Sequence, residues 1–111
     1  MDDCVFCRIV TGEIPATLVY QDDDAIAFAD RNPAAPLHVL VVPRLHVAKL
    51  ADLEDERLGG RLLQVVRRVA ADAGYAHAYR VVVNNGERAG QSVWHLHLHV
   101  LGGRDFSWPP G

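Results

Sequence analysis

Three histidines at alternate positions, His95, His97 and His99, stand in the segment "WHLHLHVLGG" near the end of the chain. Imidazole titrates near neutral pH, so it can accept or donate a proton, attack an electrophile or bind a metal ion. If the segment is a β-strand, the three rings share one face and the leucines between them face the core. Three imidazoles are poorly suited to a dry interior, so the pattern predicts a polar site.

The residues alone leave three interpretations of this segment open. They are surface histidines without chemistry, a His-x-His metal site, and a constellation for acid–base and nucleophilic catalysis. Clustering at a period of two disfavours the first, and the residues just upstream favour the third. A turn at Gly90, Gln91 and Ser92 can direct backbone N–H groups and a hydroxyl at an anion. His38, on a separate predicted strand, can support the cluster.

The length and charge of the chain limit the classes of function. The 111 residues suit one domain, 1–111, and the net charge of -3 disfavours binding to long nucleic acid while allowing a small anionic ligand. We find no secretory leader and no apolar run near the roughly 20 residues of a membrane span, so we expect a cytoplasmic protein. A Walker A motif is absent, which disfavours a kinase or an ATPase.

The order of apolar runs and turn residues predicts an α+β fold. A short helix over "CVFCRIV" precedes a hairpin formed by "TLVYQD" and "DAIAFAD". A buried strand, "LHVLVVP", ends at Pro43. Two more strands, "YRVVVN" and "WHLHLHVLG", flank a polar loop, so we expect a five-stranded, mostly antiparallel sheet. The final "WPPG" cannot join a ladder and is expected to form an extended tail.

The clearest helix is predicted over residues 52–74. Apolar side chains recur there at helical spacing from position 58 to position 73. Asp52 is in a position to cap the first turn, and the acidic residues at 54–56 suit the positive end of the helix dipole. Gly74 is in a position to end the helix.

Several motifs together resemble one known family. The segment "HLHLHVL" fits His-x-His-x-His followed by two hydrophobic residues, and "GEIPA", "AFAD", "AAPLHVLVVPRLH", "YRVVVNNG", "GQSVWHLHLHVLGGR" and "WPPG" follow the family's order. In these motifs the chain resembles the histidine triad (HIT) superfamily, and within it the Hint branch of nucleoside phosphoramidate hydrolases. The resemblance spans nearly the whole chain. It implies a HIT-like fold that pairs into a homodimer.

The resemblance implies a role for each histidine of the cluster. His97 would attack the α-phosphorus of a purine nucleoside 5′-phosphoramidate and form a nucleotidyl-histidine, which water would hydrolyse to the nucleoside monophosphate. Such covalent catalysis divides one difficult displacement into two easier steps. His99 and Ser92 would contact the phosphate or the departing amine. His38 and the backbone of His95 would hold His97 in the required tautomer.

The same resemblance implies a nucleotide pocket. Asp30 would bind the ribose hydroxyls, and Asn84 would lie on the phosphate side. Arg31 departs from the pattern of many relatives, which carry an apolar residue against the base, and this leaves the base preference open. Trp108, in the tail, would reach toward the partner's site near the leaving group. The remaining implied contacts with the nucleotide are Val5, Phe6, Ile9, Phe28, Gly90, Gln91, Ser92 and Val93.

The sequence offers two surfaces for the homodimer that the resemblance implies. The homodimer would use the apolar face of the 54–73 helix and an exposed sheet edge, because a chain of 111 residues has limited surface to bury alone.

The alternative to an enzyme is a module that binds a nucleotide or a protein partner with little turnover. The complete set of three histidines plus Ser92 favours catalysis, since binding alone does not need a nucleophile at His97.

Cys4 and Cys7 form a Cys-x-x-Cys pair near the start of the chain. In a reducing compartment this spacing favours metal or redox chemistry over a structural disulfide, but the spacing alone also allows two buried thiols. Some bacterial triad proteins that this chain resembles hold zinc with two cysteines and two histidines, and the matching histidines are His46 and His95. Because Cys₂His₂ is a closed tetrahedral set, the resemblance implies structural zinc with no metal required for catalysis.

Overall fold

The computed structural model describes residues 3–111, in which two helices accompany a five-stranded sheet. The strand order is β1-β2-β3-β5-β4, and every neighbouring pair is antiparallel. The predicted α+β class and its five-stranded antiparallel sheet are therefore confirmed. In chain order the elements are α1 (Val5–Thr11), β1 (Leu18–Gln21), β2 (Ala25–Ala29), β3 (Leu37–Pro43), α2 (Glu56–Asp72), β4 (Tyr79–Val82) and β5 (Leu98–Gly102).

The two helices lie on opposite faces of the sheet. Because side chains alternate along a strand, Ala25 and Ala27 of β2 pack with α2, whereas Ile26 and Phe28 pack with Phe6 of α1. The seven-residue α1 covers only part of its face, and a cleft opens beside it. The α2 face is more fully covered, and each buried Leu or Val there contributes about 1.5–3 kcal/mol to folding. The residues that α2 buries are Leu58, Leu62, Val65, Val66, Val69 and Ala70.

The start of α2 differs from the sequence prediction. The N-cap is Asp55, whose carboxylate accepts a hydrogen bond from the N–H of Leu58 at 3.1 Å. Asp52 instead ends a short 3₁₀ turn, and the half-buried Leu53 after it packs against the core. Because Leu53 packs against the core between the 3₁₀ turn and the helix, α2 begins three residues after it. The prediction of Asp52 as the cap is therefore wrong. Within residues 3–111 no helix, α2 included, is both long and apolar enough to span a bilayer.

β5 is shorter than predicted, since it begins at Leu98 and leaves His95 and His97 in an irregular segment. The ladder to β3 stops at the pair Val41 and Leu98. Beyond it the carbonyl oxygen of Pro43, at the end of β3, is bound by Nε2 of His95 at 2.8 Å and is not used by the ladder. The predicted alternation of faces still holds, because Leu96, Leu98 and Val100 all join the core under α2.

The surfaces expected to pair two chains are only partly exposed. The buried face of α2 packs against its own sheet, so only the outer side of this helix is exposed to a second chain. Leu63 on the outer side of α2 is 55% exposed, and Val81 on β4 is 37% exposed. β4 is an edge strand of the sheet, so its outer backbone groups are unpaired within the described part of the chain.

Candidate active site

A cleft of about 700 Å³ lies between α1, the end of β2 and the segment that leads into β5. It opens on the sheet face opposite α2, where α1 leaves the strands uncovered. Both of the histidines expected to act directly on a ligand line it. Of the residues that the sequence analysis placed in the site, the cleft brings together Val5, Phe6, Ile9, Phe28, Asp30, Arg31, Ser92, Val93, His97 and His99.

The ring of His97 is held in one tautomer. Its Nδ1 lies 2.8 Å from the carbonyl oxygen of His95. A carbonyl only accepts hydrogen bonds, so we assign the proton of the neutral ring to Nδ1 and the lone pair to Nε2. Edge-to-face contacts with Phe6, at 5.2 Å between ring centroids, and with His99, at 5.1 Å, restrict the ring further. The Nε2 atom is thus available to attack a ligand in the cleft.

Two hydrogen bonds in series set the tautomer of His99. The backbone N–H of Ala34 donates to Nδ1 of His38 at 2.9 Å, so the proton of His38 is on Nε2. That Nε2 donates to Nδ1 of His99 at 2.9 Å, and it also lies 3.3 Å from a carboxylate oxygen of Asp30. The proton of a neutral His99 is therefore on Nε2, from which it can be donated to a ligand.

The charge state of His99 follows from its surroundings. Burial, followed by the proximity of His97 and His38, lowers the pKa of His99 to about 4. At neutral pH the ring is therefore an uncharged hydrogen-bond donor. An anionic phosphate beside the ring would favour the charged form and raise this pKa again.

A second cluster lies at the N-terminus of α1 and joins both cysteines to two histidines. Nδ1 of His95 lies 3.3 Å from Sγ of Cys4 and 3.5 Å from Sγ of Cys7. Nδ1 of His46 lies 3.3 Å from Sγ of Cys7. The four ligand atoms of Cys4, Cys7, His46 and His95 all lie within 4.8 Å of one another, so the cluster could hold a metal ion.

The chemistry of this donor set fits zinc. A tetrahedral zinc with Zn–S near 2.3 Å and Zn–N near 2.05 Å separates sulfur from nitrogen by about 3.6 Å, close to the contacts found here. Nε2 of the fully buried His95 donates to the carbonyl oxygen of Pro43 at 2.8 Å, which leaves the Nδ1 lone pair toward the sulfurs. Burial raises the pKa of Cys7 to about 11, and a bound cation would favour the thiolate over this protonated form.

A further group of potential metal ligands, Asp30, His38 and His99, does not suit a metal. Its three ligand atoms are close enough to share an ion. However, the N–H of Ala34 occupies Nδ1 of His38, and Nε2 of the same ring carries the proton. Binding a metal there would require a lone pair that the neutral ring lacks. We assign this group to hydrogen bonding.

Some predicted nucleotide contacts do not line this cleft. Gln91 is 4% exposed, and its side chain accepts from the N–H of Gly86 at 2.9 Å and donates to the carbonyl oxygens of Ala48 at 2.8 Å and Val93 at 3.0 Å. Both N–H groups of its amide and the amide oxygen thus help to hold the loop before β5. Trp108 is 83% exposed in the tail. The predicted contacts outside the cleft are Asn84, Gly90, Gln91 and Trp108.

The cleft also contains residues that the sequence analysis did not single out. Asn32 is one of them, and its N–H donates to a carboxylate oxygen of Asp30 at 2.8 Å. An Asp two residues before an Asn in a loop is a recognisable turn signal, so this wall could have been anticipated. Leu40 is opposite Phe28 in the register of β2 and β3, which only the sheet reveals. The cleft residues missed from sequence are Pro15, Ala16, Thr17, Ala29, Asn32 and Leu40.

Comparison with known proteins gives a consistent assignment. The sequence profile of the HIT domain matches residues 11–106. An uncharacterized HIT-like protein of Synechocystis sp. is 52% identical over 112 residues, which cover 99% of this chain and 98% of that protein. A HIT family hydrolase from Legionella pneumophila has a TM-score of 0.95 at 43% identity, covering 98% of this chain and 100% of that one. A histidine triad protein from Clostridium difficile has a TM-score of 0.91 at 42% identity, covering 96% of each. This chain belongs to the HIT domain family.

Proposed function

We propose that this protein hydrolyses purine nucleoside 5′-phosphoramidates through a covalent nucleotidyl-histidine at His97. The observation that carries the proposal is the 2.8 Å contact between Nδ1 of His97 and the carbonyl oxygen of His95, because it leaves the lone pair of the ring on Nε2. Nucleophilic catalysis by histidine needs that lone pair at neutral pH. The structural similarity to a HIT family hydrolase from Legionella pneumophila supports hydrolysis as the reaction class.

In the first step, Nε2 of His97 forms a bond to the α-phosphorus as the phosphorus–nitrogen bond to the amine breaks. The ring becomes cationic, and the carbonyl oxygen of His95 stabilises it through the Nδ1–H. Nε2–H of the neutral His99 donates to a phosphoryl oxygen, where negative charge develops. The Ser92 hydroxyl, which lines the same cleft, passes a proton from water to the departing amine, and the hydroxide left in solvent is neutralised by the proton released in the second step.

In the second step, water attacks the phosphorus, and the bond from phosphorus to Nε2 of His97 breaks. The nucleoside monophosphate is released, the surplus proton passes to solvent, and His97 returns to its neutral form with the proton on Nδ1. The hydrogen bond to His95 is retained throughout, so the ring need not rotate between steps. A nucleophile held in this way loses little entropy on reaching the transition state.

The remainder of the cleft suits the nucleoside. Asp30, fixed by His38 and by the N–H of Asn32, is the carboxylate that would accept from the ribose hydroxyls. The base would lie against Phe6 and Phe28, whose rings meet edge to face with 5.3 Å between centroids. Stacking on such apolar walls suits a purine, which has a large apolar face.

The proposal is tested by turnover of adenosine and guanosine 5′-phosphoramidates. The wild type should release monophosphate, and rapid quenching followed by mass spectrometry of tryptic peptides should locate a nucleotidyl adduct on His97. His97→Ala should lose nearly all turnover while keeping the fold and the affinity for monophosphate. His77→Ala, an exposed histidine outside the cleft, is the matched control and should behave as wild type. Wild-type protein that binds monophosphate without turnover would instead indicate a binding module.

We also propose that the cluster of Cys4, Cys7, His46 and His95 holds structural zinc. The donor set and the orientation of His95 support this assignment. When bound, zinc supplies a closed tetrahedral link between the start of α1 and the segment before β5, with no position for water. Elemental analysis of protein purified without chelator should find close to one zinc ion per chain.

Finally, we propose a homodimer in which β4 edges meet. The edge backbone of β4, with Val81 on that strand and Leu63 on α2 as exposed apolar side chains, supports this arrangement. Sedimentation at micromolar concentration should give about twice the 12.2 kDa mass of the chain. Val81→Asp should shift the protein toward the monomer, and a wild type that sediments as a monomer would refute the dimer.

A further inference from the structure

Arg31 is the one arginine or lysine among the residues that line the cleft. It is exposed, and within residues 3–111 its guanidinium has neither a hydrogen-bond partner nor an ion-pair partner. Its neighbour Asp30 does not neutralise it, because that carboxylate is engaged with His38 at 3.3 Å and with the N–H of Asn32 at 2.8 Å. The donors of Arg31 are therefore available to a ligand.

The register of the sheet places Arg31 at the end of the cleft remote from His97. His99 of β5 pairs with Leu40 of β3, which pairs with Phe28 of β2. β2 and β5 run in the same direction, and Arg31 follows Phe28 by three residues whereas His97 precedes His99 by two. Arg31 lies two residues beyond the end of β2 and His97 one residue before the start of β5, so the two lie beyond opposite ends of the paired strands. This suits a nucleotide whose phosphorus is at His97 and whose base is within reach of the arginine.

Arg31 is suited to the edge of a base and not to its face. The faces of a base in this cleft would meet apolar side chains that are largely buried, among them Phe6, Phe28 and Leu40. Arg31 is at the exposed rim, where the edge of the base would emerge. A guanidinium carries only donors, in a planar fork.

We propose that Arg31 makes guanine the preferred base of this site, an inference that rests on the proposed function for the identity of the cleft. Guanine offers two adjacent acceptors, O6 and N7, which match the arginine fork. Adenine offers N7 beside the N6 amino group, so one arginine donor would face another donor. A good bidentate pair discriminates between bases by about ten-fold or more.

Equilibrium titration with GMP and AMP tests the inference without requiring turnover. The wild type should bind GMP about ten-fold more tightly than AMP. Arg31→Leu should bring the two affinities close together, mainly by weakening GMP, and Arg31→Lys should keep the charge but lose most of the preference. Arg67→Leu removes the same charge from the exposed side of α2, on the opposite face of the sheet, and should keep the ten-fold ratio.

The outcomes separate this inference from the proposed function. Equal weakening of GMP and AMP by Arg31→Leu would mean charge attraction or stacking on the base, and would overturn the inference even if both phosphoramidates are hydrolysed. A GMP preference that depends on Arg31, in a protein that hydrolyses neither phosphoramidate, would sustain the inference and refute the hydrolase. Wild-type protein that prefers AMP, or binds neither monophosphate, would overturn the inference.

Discussion

His95 and His97 connect the two histidine clusters of this protein. The carbonyl oxygen of His95 accepts from Nδ1 of His97 at 2.8 Å, while Nδ1 of the fully buried His95 imidazole lies 3.3 Å and 3.5 Å from the sulfurs of Cys4 and Cys7. The metal-ligand cluster and the proposed nucleophile therefore share one short stretch of backbone. Loss of the metal-ligand cluster should reach His97 through that backbone and through Phe6 of α1, whose ring contacts His97.

We expect substitution of Cys4 to lower stability more than catalysis. Cys4→Ala should lower the midpoint of thermal unfolding by about 10 °C or more, since each kcal/mol lost shifts the midpoint of a small domain by about 4–8 °C. Turnover near 25 °C should fall by less than about ten-fold, because the partner of His97 is a backbone carbonyl that the substitution leaves in place. Differential scanning calorimetry and steady-state kinetics measure the two effects.

Cys4→Ser separates the metal from the helix cap. Sγ of Cys4 accepts from the N–H of Cys7 at 3.3 Å, so part of the cost of Cys4→Ala is a lost N-cap, worth about 0.5–2 kcal/mol. Serine keeps a capping oxygen but is a poor zinc ligand. Cys4→Ser should therefore remain nearly as unstable as Cys4→Ala, and EDTA should lower the midpoint of the wild type alone. Equal midpoints of thermal unfolding for the wild type and Cys4→Ser would contradict structural zinc at this cluster.

Features set by local periodicity could be predicted from this sequence. The spacing of apolar residues in α2 and the alternation of leucines with histidines before β5 both survive in the structure, because each depends on neighbours within a few residues. The turn at the cleft wall, in which the carboxylate of Asp30 accepts from the N–H of Asn32, is also a local feature of the sequence. Such patterns identify which face of each element is buried, and they largely determine on which face of the sheet the cleft lies.

Features set by contacts distant in the chain could not be predicted from the pattern alone. Whether Asp52 or Asp55 caps α2 depends on how Leu53 packs, and both aspartates fit the local signal. The family resemblance implied a nucleotide contact for Gln91, but its side-chain amide donates to the carbonyl oxygen of Ala48, 43 residues away. His46 joins Cys7 across 39 residues, so only the family resemblance indicated this pairing.

We expect His38 to act by positioning His99. His38→Ala removes the donor to Nδ1 of His99 and frees that ring to adopt the other tautomer. The turnover number should fall by about 10²-fold, within the range of a misplaced acid–base group. The affinity for monophosphate should fall less, because the N–H of Asn32 still holds Asp30 when its contact with His38 is lost. His38→Gln can still donate one hydrogen bond and should recover part of the loss. A His38→Ala enzyme with wild-type turnover would exclude this role.

The depressed pKa of His99 predicts a loss of stability in mild acid. The pKa of His99 falls from an ordinary value of 6.5 to about 4 in the folded chain, with burial as the main cause. As the pH falls through 6.5, the unfolded chain takes up a proton that the folded chain refuses until about 4. The free energy of unfolding therefore falls as the pH decreases from 6.5 to about 4. Above pH 6.5 His99 is neutral in both states and causes no such loss.

The comparison of wild type with His99→Gln isolates this contribution. Urea unfolding at several pH values between 7.5 and 4.5 should give a shallower pH dependence for His99→Gln, because glutamine does not titrate. Any protonation of the cysteine cluster is common to both proteins and cancels in the difference. Parallel curves for the two proteins would show that His99 titrates normally.

The end of β5 depends on a glycine whose substitution should be costly. Gly103 has φ near +91°, and a Cβ there would lie 2.8 Å from Cβ of Pro36 and 2.9 Å from the hydroxyl of Tyr75. Gly74 has nearly the same φ, +90°, but a Cβ there would meet nothing within 4 Å. The left-handed backbone costs a non-glycine residue about 1–2 kcal/mol at either site, whereas the steric overlap arises only at Gly103.

Gly103→Ala should therefore reduce the unfolding free energy by about 3 kcal/mol, and Gly74→Ala by about 1 kcal/mol. Because Gly103 directly follows β5, which carries His99, the first variant should also reduce turnover at temperatures where it remains folded. Urea denaturation gives the two free energies, and kinetics at 15 °C gives the turnover. Equal costs for the two variants would mean that Pro36 and Tyr75 move aside, and that their close approach to Gly103 contributes nothing to holding the end of β5.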